Sequence, residues 1–135
     1  MKRIQYTQAL RLLSITTMML LIGTVAAVAA DKGAHTSSMF MGPKANTGTV
    51  MHSYEGGKSI LRVSPDFKVP DTPAPTWRIV DSKGTIYTLD AFKIKGGEKR
   101  EVTVPHYVKD IAKVQVYCAF AEVLLGEAGF SSAVK

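Results

Sequence analysis

One thiol, three imidazoles and a short run of thioethers are the side chains in this 135-residue chain that could do chemistry beyond packing. The thiol is Cys118, the single cysteine. It stands in the stretch VQVYCAF, with Val114, Val116 and Phe120 at its own two-residue period, the spacing that puts side chains on one face of a strand. As a thiolate it can attack a disulfide, pass electrons or hold a soft metal. As a thiol among valines it is a small, inert hydrophobe, and free cysteine is among the most buried residue types.

His35, Met39, Met41, Met51 and His52 crowd one stretch, and imidazole with thioether is a soft set suited to copper. A blue-copper centre needs a His and a weak axial Met close after its cysteine, and nothing after Cys118 is either. That pattern disfavours a cupredoxin, and Met39 and Met41 read as gap-filling core residues around Phe40. Cys118 with His52 or His106 as base would make a nucleophilic hydrolase. No local motif places either histidine beside it, and His106, following Pro105 at a strand end, is expected on the surface. Paired carboxylates, phosphate-cradling glycine loops and zinc spacings are absent. Gly56-Gly57 and Gly96-Gly97 serve turns, since neither opens a helix. No independent catalytic activity is expected.

The elements that must position Cys118 begin after a leader. Lys2, Arg3 and Arg11 precede an almost unbroken apolar run over 12–28, closed by Ala26, Ala27, Val28, Ala29 and Ala30. A charged front, an apolar middle and an Ala-x-Ala end are the parts of a secretory signal peptide, cleaved after Ala29 or Ala30. The apolar run approaches the length of a membrane anchor, but its Gly- and Ala-diluted second half and good cleavage site favour removal. No stable membrane span is then expected. With no cysteine near the cleavage site, a lipoprotein anchor is excluded. Export places the domain in the periplasm or outside the cell, at or beyond its surface. Exported proteins use cysteine in pairs, so the odd one left over is a free thiol, an intermolecular bridge or a ligand.

Removing 1–30 takes three of the 17 basic residues and none of the 11 acidic ones, so the net charge falls from +6 to +3. Lys93 to Arg100 holds the only basic cluster, without the stripe and interleaved aromatics of a nucleic-acid surface, and no nucleic-acid partner is expected. Residues 31–38 are small and polar and read as a flexible leader. Residues 39–135 make one domain, large enough for a single core without staples.

Within that domain 49–54 and 58–63 read as a hairpin around Glu55-Gly56-Gly57. Four prolines, Pro65, Pro70, Pro73 and Pro75, make 64–76 a connection. Strands are expected over 77–80 and 85–89 about the turn Asp81-Ser82-Lys83-Gly84, then over 100–104, 114–120 and 123–130. Gly126 and Gly129 mark bulges or close approaches in the last strand, and Gly126 is where a ligand or strand could come near Cys118. Only 107–113 offers a helical turn. Short strands at this spacing imply an all-β fold, an antiparallel β-sandwich or flattened barrel.

The order of these pieces resembles the DM-thirteen domain family, described as an electron-transfer domain of animal cell-surface proteins, beside DOMON domains, and of stand-alone bacterial proteins. The resemblance rests on Val116-Tyr117-Cys118, Phe120 and 123–128 (Val-Leu-Leu-Gly-Glu-Ala). Upstream it rests on Thr47-Gly48-Thr49-Val50, Gly56-Gly57-Lys58, Leu61, Phe67, Ile94-Lys95-Gly96, Gly97 and Val104-Pro105. It covers about 39–130. This sequence departs from the family's pattern at Ala74-Pro75-Thr76-Trp77 and in having Tyr117, not Trp, before the cysteine. The resemblance implies a β-sandwich whose shared cysteine, here Cys118, acts as a redox thiol or as a ligand for a prosthetic group such as haem, with a redox partner protein. No Cys-x-x-Cys-His attachment motif is present, so a haem would be non-covalent or held by Cys118 alone. Two functions follow: an exported electron-transfer module using Cys118, or a non-catalytic periplasmic or cell-surface binding module in which Cys118 is core packing.

Overall fold

The computed structural model describes residues 33–135, and the expected signal peptide over 1–30 lies outside the described residues. Ten strands and no helix make up the described part. One antiparallel sheet has the order β1-β2-β3-β8: β1 is His35–Thr36, β2 Val50–Glu55, β3 Lys58–Val63 and β8 Glu101–Thr103. The other has the order β10-β9-β4-β5: β4 is Pro75–Val80, β5 Ile86–Ala91, β9 Ile111–Cys118 and β10 Val123–Val134. A two-stranded ribbon, β6 (Lys93–Ile94) with β7 (Gly97–Glu98), stands apart from both. Neither sheet closes on itself, and both contribute to one core, so the all-β expectation holds as an open sandwich. Among the described residues no helix is long and apolar enough to cross a membrane.

The sequence dictates the alternation that builds the core. In β9 the buried side chains are Ile111, Val114, Val116 and Cys118, while Gln115 and Tyr117 face outward. The β2–β3 hairpin turns at Gly56 and Gly57, both at positive φ (56° and 78°), as a two-residue hairpin turn requires. Four rings run through the centre: Trp77 stacks on Phe92 at 4.4 Å, Phe92 lies 5.4 Å from Phe67, and Phe67 lies 4.9 Å from Phe40. The buried Trp77 indole still needs an acceptor, and its Nε1–H donates to the Lys99 carbonyl at 2.9 Å.

Several local expectations are corrected. Pro75 does not stay in the connection but opens β4, an inner strand, where its missing N–H falls at the strand's first residue. The helical turn expected over 107–113 is absent, because β9 already begins at Ile111. β9 ends at Cys118, so Phe120 is not on its strand face but in the following turn, 78% exposed. Met39 and Met41 are not core residues. They are 58% and 74% exposed, and Phe40 alone turns inward. Within the segment 31–38, His35 and Thr36 pair with His52 and Met51, and the Ser37 hydroxyl accepts the Val50 N–H at 2.8 Å.

Candidate functional site

Cys118 closes β9, the strand held between β10 and β4, and is in register with Val123 on one side and Pro75 on the other. Its side chain follows Val114 and Val116 onto the core face and is 1% exposed. The chain then reverses over 119–122. The Ala119 N–H donates to the Ala74 carbonyl at 2.9 Å, and Glu122 adopts a left-handed φ of 55°, unusual for a residue with a side chain. This reversal folds the Ala121 N–H back onto the Cys118 Sγ at 3.4 Å. Phe120, Val123 and Leu124 are left exposed around it.

The amide of Ala121, helped by those of Ala74 and Phe120, holds the Cys118 thiol below its usual value, although burial of the sulfur works the other way. Thr72 adds to the same effect. Its Oγ1 is buried and has no other hydrogen-bond partner among the described residues. Donors gathered on one sulfur stabilise its anionic form, the form that reacts.

Gly126 has a different role from the one its position suggested. The register of β10 on β9 shifts between Leu124 and Gly126, which is the expected bulge. A Cβ on Gly126 would overlap the Ala45 carbonyl oxygen, and one on Gly42 would overlap the Gly126 Cα. The close neighbour at Gly126 is therefore the chain's own 42–45 segment, anchored where the Lys44 and Ala45 amides both donate to the Leu125 carbonyl (3.0 and 2.8 Å). Gly126 opens no path to Cys118.

Neither histidine considered as a base is paired with the thiol. His52 is 2% exposed, and its Nε2 lies 2.7 Å from Ser59 Oγ. Burial, and secondly the neighbouring His35, hold His52 below the ordinary imidazole value. Its Nδ1 has no partner, so no third group orients the ring as a hydrolytic triad would require. His106 is exposed in the loop before β9, at the opposite end of that strand from Cys118. Of the soft-ligand set, His35 and His52 do meet, stacked at 5.8 Å, but Met39 and Met41 face solvent and Met51 alternates to the other face of β2. Among the described residues no group of three or more His, Cys, Asp or Glu is placed to hold a metal ion.

No family model, curated protein or solved structure matches this chain. What the site can do must come from its own chemistry. A haem bound through Cys118 does not fit the residues as they stand: the sulfur points into the core, 1% exposed beneath a turn, and an iron–sulfur bond needs a porphyrin face against it. A redox thiol asks for less, since only a sulfur-sized group has to reach Sγ. Two features were missed by sequence reasoning. The Ala121 amide on Sγ depends on a turn geometry that pattern alone does not specify. The Ser59–His52 contact arises from residues seven apart, joined across the β2–β3 hairpin.

Proposed function

We propose that the chain is an exported electron-transfer module in which Cys118 is the redox thiol, in keeping with its resemblance to the DM-thirteen domain family. The observation that carries this reading is the Ala121 N–H folded back onto the Cys118 sulfur at 3.4 Å, an amide that favours the thiolate even inside the fold. A purely packed cysteine needs no such donor. In the step proposed, the Cys118 thiolate attacks one sulfur of a partner's disulfide. A new Sγ–S bond forms, the partner's S–S bond breaks, and the displaced sulfur leaves with the electron pair as a thiolate. A dithiol on a second partner then displaces the first partner from Cys118 and, with its other sulfur, frees the Cys118 thiolate. Two electrons thus pass from dithiol to disulfide. Access requires the 119–122 turn to lift, and Glu122, in a backbone region that disfavours its side chain, is where that turn is least secure.

The test is labelling of the undenatured protein with an aromatic disulfide reagent across pH. Slow labelling is expected, with a midpoint below the ordinary thiol value of 9.0, rising towards it in Thr72→Val. Glutathione disulfide should add one glutathione mass, and none in Cys118→Ala. A thiol that stays unlabelled until denaturant is added, with no mixed disulfide, returns Cys118 to packing and the domain to binding. Export has its own check: the mature N-terminus should be Ala30 or Asp31, and secreted material that retains 1–29 would overturn it.

A further inference from the structure

The end of the sandwich away from Cys118 holds a cavity of about 560 Å³, within the range that encloses small organic ligands. It opens because β8 stops after three residues and the 104–110 connection crosses from one sheet to the other. Val104, Ile111 and Val134, all buried, form its apolar floor. Lys58 and Lys109 line it, and neither makes an ion pair among the described residues. Its single lining carboxylate side chain, Asp110, is already engaged: it accepts the Ser82 N–H at 2.8 Å and the Ser82 hydroxyl at 2.6 Å, and it faces Lys135. Ser59 adds a wall hydroxyl, which lies 2.7 Å from His52 Nε2.

Two lysines without ion-pair partners among the residues lining an apolar floor match a ligand with an anionic head on an apolar body. A fully polar anion would make no use of the apolar floor, and a neutral hydrocarbon would make none of Lys58 and Lys109. We propose that this cavity binds small amphiphilic organic anions, carboxylates with an aliphatic or aromatic tail, with Lys58 and Lys109 on the head group. The site is separate from the thiol. Ile111 and Cys118 stand at opposite ends of β9, seven residue steps or about 23 Å apart at roughly 3.3 Å per step. The two readings can therefore fail independently.

The test is titration of the purified protein with decanoate, followed by calorimetry and by backbone amide shifts. Decan-1-ol serves as the uncharged analogue and inorganic phosphate as the charge without a tail. Saturable decanoate binding is expected, weakening as salt rises, with the largest shifts in 57–59 and 103–111. Lys58→Ala and Lys109→Ala should each weaken it about three- to tenfold, the range left by losing one partly screened charge. Lys68→Ala, which removes an exposed lysine outside the cavity, should leave binding unchanged. Equal binding of decan-1-ol, equal binding of phosphate, shifts centred elsewhere, insensitivity to both lysine variants, or no binding would each overturn the proposal.

Discussion

Cys118 is held by two opposing influences that act on different forms of the same atom. Burial disfavours the thiolate and the gathered amides favour it, so substitutions should separate packing from chemistry. Cys118→Ala removes one atom from a well-filled site and is expected to cost about 1 kcal/mol, from the small void it leaves. Cys118→Ser keeps the volume but buries a hydroxyl, with a cost of about 1–3 kcal/mol unless it finds a partner. The Ala121 N–H is close by and could supply one contact, so the lower end of that range is expected, and urea midpoints would measure both. A Cys118→Ser variant as stable as the parent would show that the amides serve an oxygen as well as a sulfur. The apolar period through Val114 and Val116 made this residue's burial legible. The donor was not legible, because the Ala121 N–H reaches the sulfur only when the chain reverses after β9.

At the scale of elements, glycine punctuation was a reliable guide to turns and an ambiguous one within strands. Gly56, Gly84 and Gly96 all take positive φ at the turns expected there. Gly126 in β10 signalled a close approach without naming the neighbour, which is the 42–45 segment laid along the edge of β10 and joined by the Met41–Glu127 bridge. The same segment explains why Met39 and Met41 are exposed: Phe40 takes the inward position, and alternation sends its neighbours out. Gly126→Ala should drive a methyl into the Ala45 carbonyl and Cβ, with no flexible side chain to yield. A loss of about 2–3 kcal/mol is expected, at the upper end for overpacking, read as a lower thermal midpoint. Gly97→Ala meets nothing nearby and provides the control. Equal midpoints for the two variants would mean that the 42–45 strap does not hold its place against β10.

The whole molecule was legible as a class and less so as a topology. Alternation in β2, β3 and β9 and the turn glycines specify short antiparallel strands. Strand order depends on which hydrophobic faces meet across about 40 residues, as in the pairing of β3 with β8, and no local pattern encodes that. The same long-range assembly fixes how the domain responds to acid. His52 is buried at 2% exposure beside His35 and packs edge-on against Phe130 of β10, so β1, β2 and β10 meet at one imidazole. Burial and the His35 charge lower its folded value below 6.5, whereas the unfolded chain takes up the proton near 6.5. Below that pH the unfolded state binds more protons, and stability must fall as pH falls. The carboxyls of Asp81, Asp110 and Glu127, all held below their ordinary values by hydrogen bonds, add a second loss at lower pH, as pH drops through their depressed values. Urea midpoints should therefore be flat from neutral pH down to about 6.5, decline once as the imidazole titrates, and decline again in the carboxyl range. His52→Phe removes the first decline and keeps the second, since the ring still packs on Phe130 while the titrating nitrogens are gone. A first decline that persists unchanged in this variant would move its origin away from His52, and would leave the union of β1, β2 and β10 insensitive to acid.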